Sequence, residues 1–196
     1  MSKTRWALAA RVTAVVLCVL AFLLAGCGER RPEGENAGEG SDAAAVERQI
    51  QLQTLAQGQV CEYGRFDEVP TSQEAPPECL VIEDAEGLKR LLYLANLELP
   101  YQDVDFSQNV VIAAMQGPKN TSGYAISIQS LRQTGTEVRV LLDLVEPAPG
   151  SVTAQMLTSP YHLVLARRSD FQPRGELRFS FEDGSGRRLG TVSAAI

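Results

Sequence analysis

From Val104 to the C-terminus strand signals dominate, most of them runs with apolar residues on alternate positions, and a chain patterned that way builds sheets. Leu177, Phe179 and Phe181 alternate with Arg178, Ser180 and Glu182, and Val138, Val140, Leu142 and Leu144 share one side of 137–144. Successive side chains of a strand point to opposite faces, so a period of two marks strands with one buried face. Thr134-Gly135 turns the chain between that segment and a strand over 122–131, where Tyr124, Ile126 and Ile128 lie together. Asp183-Gly184-Ser185-Gly186 likewise joins 177–182 to 188–193, giving two hairpins. Further strands are expected at 60–66, 79–82, 110–115 and 161–166, with a Pro-, Ser- and Glu-rich loop over 67–78.

One helix interrupts this pattern. Asp84 is a natural N-cap, and Glu86 suits the positive end of the helix dipole. Leu88, Leu91, Leu92 and Ala95 recur at i, i+3, i+4 and i+7, and Pro100 marks a stop. Residues 50–196 are enough for one domain with a real core. The expected class is α+β, mainly β: a compact antiparallel β-sandwich or partly open barrel with one packed amphipathic helix.

The N-terminus reads as an address. Lys3, Arg5 and Arg11 precede the apolar run 12–24, which has the length of a secretory signal and is too short for a comfortable membrane span. It ends in Leu24-Ala25-Gly26-Cys27, which resembles a bacterial lipoprotein box. That resemblance implies cleavage of signal peptide 1–26, a diacylglycerol on the Cys27 sulfur and usually an acyl chain on its amine. Two or three chains anchor a protein durably, whereas one binds reversibly. Gly28 rather than aspartate after the cysteine favours the outer membrane in a two-membrane bacterium. Residues 27–49 are poor in large apolar side chains and read as a flexible acidic tether reaching about 25 Å, with a short helix over 43–55 as the alternative for its end. The net charge of −6 becomes −9 once the three signal cations leave, which argues against nucleic acid as a partner.

With Cys18 in the signal and Cys27 acylated, Cys61 and Cys79 remain, 18 residues apart. In an exported, oxidising setting an even pair predicts a disulfide, and closing such a loop contributes about 3 kcal/mol. A metal site would need further soft or imidazole ligands, and the chain has one histidine, so neither metal nor cofactor is expected.

Catalytic arrangements are poorly supplied. Nucleophile–base pairs need an imidazole, and His162 sits in a strand, opposite Tyr161 and Leu163, where it reads as an exposed strand residue. Glu83, Asp84, Glu86, Asp103 and Asp105 cluster near the helix ends, where capping and solvation explain them. Gly184 and Gly186 lack the Lys-Ser/Thr of a phosphate loop.

What is left is a recognition surface. In Pro118-Lys119-Asn120-Thr121-Ser122-Gly123-Tyr124 the proline fixes φ, Asn120 and Gly123 tolerate positive φ, and the hydroxyls can bond nearby backbone. With Pro147, Pro149 and Gly150 and the later Pro160-Tyr161, these residues form turn-rich loops on a rigid sheet, a common setting for docking.

Val104-Asp105-Phe106-Ser107, the apolar Val110-Val111-Ile112-Ala113, Gly117 to Ile126 and Thr158-Ser159-Pro160-Tyr161-His162-Leu163-Val164 together resemble the C-terminal domain of the PrcB family over about residues 80–168. Ser122 stands where that family usually has glycine. The resemblance implies a non-enzymatic lipoprotein subunit that assembles with or stabilises a surface protease. The same loops are similar to the three-loop edge of chagasin-like cysteine protease inhibitors, which implies loop geometry rather than activity. Here the proline precedes the asparagine by two residues, and the Gly-Gly and Arg-Pro-Trp elements are missing. The expected role is therefore a membrane-anchored binder of an envelope protein such as a protease. The alternatives are a small-ligand or glycan binder with Tyr63, Tyr124 and Tyr161 around a pocket and, last, a hydrolase using an acidic pair.

Overall fold

The structure, a computed structural model, describes residues 46–63, 76–99 and 103–196. Within these, nine strands and one α-helix follow in the order β1 (Arg48–Ile50), β2 (Leu52–Gly58), β3 (Glu78–Ile82), α1 (Ala85–Ala95), β4 (Asn109–Met115), β5 (Ala125–Thr134), β6 (Glu137–Val145), β7 (Tyr161–Arg167), β8 (Glu176–Asp183) and β9 (Arg188–Ala195). They form two sheets, ordered β2-β7-β4-β3 and β1-β5-β6-β8-β9, packed as a sandwich with no closed barrel. The expected sandwich is the fold observed. All neighbouring strands are antiparallel except β6 and β8, which pair in parallel from Glu137 opposite Arg178 to Leu142 opposite Asp183.

The residues of β4 and β7 explain the layering. Val110, Ile112 and Ala114 face the core between the sheets, with Val164 and Ala166 beside them and Leu131, Val140, Phe179 and Phe181 opposite. Val111, Ala113, Met115 and Leu163 face the other way, against Leu88, Leu91, Leu92 and Ala95 of α1. A strand wet on neither face needs no polar alternation, hence the unbroken Val-Val-Ile-Ala-Ala-Met of β4. Burying each helix leucine contributes roughly 1.5–3 kcal/mol, and the stripe at 88, 91, 92 and 95 is the one its periodicity predicts.

Asp84 caps α1 as expected: its carboxylate accepts from the Gly87 N–H at 2.7 Å. The helix ends earlier than the proline stop implied. Asn96 takes the left-handed conformation (φ 49°), and the N–H groups of Asn96 and Leu97 turn back to the carbonyls of Tyr93 and Leu92. Pro100 itself lies outside the described residues.

Three sequence expectations need correction. Residues 60–63 are not a strand, and 64–66 lie outside the described residues; the strand is β2 (Leu52–Gly58), which ends before Val60. Residues 46–55 are not helical, and the range assigned to the tether already holds the start of β1 at Arg48. In β5 the period slips at a bulge between Ile128 and Ser130, so that Ile126 and Ile128, then Leu131 and Gln133, are buried. Tyr124 precedes this strand rather than starting it. The signal peptide, Cys27 and the tether up to residue 45 lie outside the described residues, and no helix among the described ones is long and apolar enough to cross a membrane.

Candidate functional site

The chain segments on either side of β5–β6 come together as one double loop. Lys119 and Thr158 form an antiparallel bridge, with Lys119 N–H donating to Thr158 O at 2.7 Å and Thr158 N–H to Lys119 O at 2.9 Å. The Ser122 N–H donates to Ala154 O, the Ala154 N–H to Ser122 Oγ, both at 3.0 Å, and the Thr158 hydroxyl donates to Thr121 O. Five hydrogen bonds therefore tie 119–122 to 154–158, and one of them rests on the hydroxyl of Ser122, which a glycine at that position would lack. Gly123 has φ 96°, and a methyl there would stand 3.1 Å from Pro147, so the glycine meets both a backbone and a space requirement.

Beneath this double loop lies Lys119, only 7% exposed, its ammonium 5.4 Å from the centre of the Tyr124 ring. Burial lowers the lysine pKa, and the Glu146 carboxylate opposes that shift. The Tyr124 ring is thus half-buried support for the loop rather than a protruding contact. What protrudes is apolar. Val152 (102% exposed), Met156 (46%) and Leu157 (56%) occupy one short stretch of the second loop, with Val145 at its base. Scattered exposed apolar residues are normal, but three large ones on a loop whose 154–158 end is pinned make it the candidate contact surface. Sequence reasoning passed over them because they lie among turn residues and follow neither period; their size within a Pro- and Gly-rich segment was the available signal.

The other loop residues fall into two groups. Asn120 and Gly150 are exposed, with Gly150 at φ 79° in a turn closed by the Ser151 N–H donating to Ala148 O. Pro118 and Thr121 are half-buried. Pro160 is buried, its carbonyl accepting from the Gln116 N–H, and Tyr161 lies with its ring across Gly58, so close that a Cβ there would stand 2.8 Å from the hydroxyl. Burial raises the Tyr161 pKa. These two residues position the second loop from below.

The expected Cys61–Cys79 disulfide is not present: both residues are free, buried thiols. They serve different layers. Cys79 joins the core between the sheets, whereas Cys61 lies in the helix-side cluster, its Sγ donating to Ser159 O and Oγ. Burial pushes the Cys79 thiol up to about 12, with Glu78 adding to it, and burial likewise raises Cys61. Such thiols are weak nucleophiles. In the native protein neither should react with a small disulfide reagent within minutes, and both should react in denaturant; peptide mapping that found them joined would refute the two-layer placement.

His162 also departs from expectation. It is 5% exposed, because both faces of β7 are covered. Its Nδ1 accepts from the Ile128 N–H at 2.8 Å, so Nε2 carries the proton and donates to the Thr54 hydroxyl at 3.1 Å. With both nitrogens engaged and burial lowering its pKa, the ring is a tie between the sheets. The carboxylates near the helix act locally: Asp84 caps α1, and Asp105 accepts from the Ser107 hydroxyl and N–H and from Gln108, which hold it below the usual range. A cavity of about 540 Å³ between α1 and β3 includes Tyr63 and Arg90, but neither Tyr124 nor Tyr161 lines it, so the three tyrosines do not converge on this cavity. No cluster of three or more His, Cys, Asp or Glu that could hold a metal occurs among the described residues.

Compared with known proteins, residues 110–165 match the family model described as PrcB C-terminal. The match runs from β4 into β7 and contains the whole double loop. No curated protein and no solved structure matches the chain.

Proposed function

We propose that this chain is a lipid-anchored, non-catalytic subunit of the cell envelope that binds a protein partner, a surface protease, through the double loop at 118–124 and 146–158. The observation that carries the reading is the pinned loop pair, which presents Val152, Met156 and Leu157 to solvent within the segment that matches PrcB C-terminal. Pinning removes in advance the loop-ordering cost that a flexible contact would meet on association. The family likeness supports a protease-associated role. The lipoprotein box at Leu24–Cys27 supports anchoring at Cys27 in the membrane, at the outer-membrane periplasmic face or cell surface in a two-membrane bacterium.

A photocrosslinking residue at position 156 of the full chain, in intact cells, tests this. The expected product is a covalent adduct with one envelope protease. With the purified pair, the triple change Val152→Ser, Met156→Ser, Leu157→Ser should weaken affinity at least about tenfold while moving the melting temperature by less than about 2 °C, because the side chains contribute little to the core. Adducts that never contain a protease remove the assigned partner. Unchanged affinity in the triple variant removes the loop as the contact.

A further inference from the structure

At one side of the sandwich the two sheets end together. β3 is the outermost strand of the four-stranded sheet and β9 of the five-stranded one; β3 pairs with β4 and β9 with β8, and neither has a second strand partner among the described residues. The two edges lie close, since a methyl on Gly190 of β9 would stand 3.7 Å from Cys79 Cβ of β3. A groove of about 400 Å³ follows them, lined by Tyr63, Glu78, Leu80, Gln116, Leu189 and Thr191 among others.

Two properties of this groove indicate what it takes. Gln116 is only 6% exposed, and its Oε1 has no hydrogen-bond partner among the described residues. A buried acceptor left so is costly, and an N–H donor in the groove would relieve it. The electrostatics add a second constraint. Burial pushes Tyr63 and Cys79 to about 12, so both keep their protons at neutral pH, and Glu78 is the one acidic side chain of the lining. An acidic occupant is disfavoured.

We infer that this seam is a second binding site, separate from the double loop, which accepts an extended, non-acidic segment of a partner polypeptide by strand addition. An edge strand offers alternating N–H and C=O groups that another strand matches in register. A backbone N–H of the incoming segment meets Gln116 Oε1, and the small residue at Gly190 leaves room for its passage.

The test uses the full chain and a phage-displayed library of random heptapeptides, the recovered sequences being remade with a fluorophore. Recovered peptides should be poor in Asp and Glu. Gln116→Met keeps the side chain's length but removes the acceptor, and should weaken binding about tenfold. Gly190→Leu fills the groove and should weaken it at least about a hundredfold. The Val152, Met156, Leu157 triple variant should bind these peptides like the parent, which separates this site from the loop surface. Hydrogen exchange should slow at 189–192 or 78–80 when peptide is added. No enriched sequence, an acidic consensus, equal binding by both groove variants, or protection confined to 119–124 and 146–158 would each overturn the inference. So would a dimer of the full chain, seen by sedimentation, that the peptides fail to dissociate, since a second copy would then own the seam. If Gly190→Leu does not fold, the Gln116→Met result decides.

Discussion

Arg168→Met is expected to lower the free energy of unfolding by about 3–5 kcal/mol. The residue follows β7, and its guanidinium donates to four backbone carbonyls. Nε reaches Phe106 O at 2.9 Å and Asn109 O at 3.2 Å, Nη1 reaches Ala195 O at 3.0 Å, and Nη2 reaches Glu83 O at 2.9 Å. Those carbonyls belong to the segment entering β4, to the end of β9 and to the junction of β3 with α1, so one side chain ties the helix layer and both sheets. Hydrogen bonds from a charged donor contribute about 1.5–3 kcal/mol each, but the group is half-buried and the four are not additive, which sets the lower total. Methionine retains much of the stem's packing and removes every donor. Lysine offers a point charge rather than a planar fork, so Arg168→Lys should recover less than half of the loss. Urea denaturation measures both; a cost below about 1 kcal/mol for Arg168→Met would show the carbonyls to be adequately served by water.

The second large effect is a dependence on pH set by His162. Its folded-state pKa lies below the ordinary value because burial disfavours the imidazolium, and its Nδ1 must stay unprotonated to accept from Ile128. The unfolded chain takes up a proton as pH falls through about 6.5, while the native chain does not until its lower pKa is reached. Stability is therefore full above about pH 6.5, declines as pH falls toward the folded pKa, at no more than about 1.4 kcal/mol per pH unit, and levels off below it. His162→Leu should cost about 1–3 kcal/mol at pH 7.5 by orphaning the Ile128 N–H, and should be flat between pH 7 and 5 where the parent declines. A parent protein equally stable at pH 7.5 and 5 would sink this assignment. A separate loss at lower pH belongs to Asp183, held at about 2 chiefly by the Ser185 hydroxyl: its contribution is present above about pH 4 and disappears as pH falls through about 2.

Which features could be read in the chain follows from where each residue's partners lie. The 122–144 and 177–193 hairpins and the helix stripe at 88–95 were legible because turn chemistry and periodicity are local, and they appear as expected in β5–β6, β8–β9 and α1. β2 was not, because an edge strand bulged between Thr54 and Ala56 carries no clean alternation. His162 was misplaced because its neighbours showed only one buried face, while the second face is covered by a sheet whose residues are distant in sequence. The cysteine pair followed from compartment and parity, which say nothing of the side of β3 on which each thiol falls. In the candidate site the turn-rich loop at 118–124 was legible from its residues. Its partner at 154–158 was not, since a bridge between Lys119 and Thr158 spans the whole of β5 and β6.

The middle layer carries a consequence for how this chain tolerates insertion. Because β4 and β7 serve one core with odd-numbered residues and the other with even-numbered ones, a single residue added within either would exchange the two sets at once. Alanines would then meet positions shaped for isoleucine, and methionine would press against the opposite sheet. An edge strand can absorb such a slip in a bulge, as β2 does. The central pair has no solvent side on which to discharge the error, so length variation among relatives of this domain should gather in the loops and outer strands and leave these fourteen positions uninterrupted.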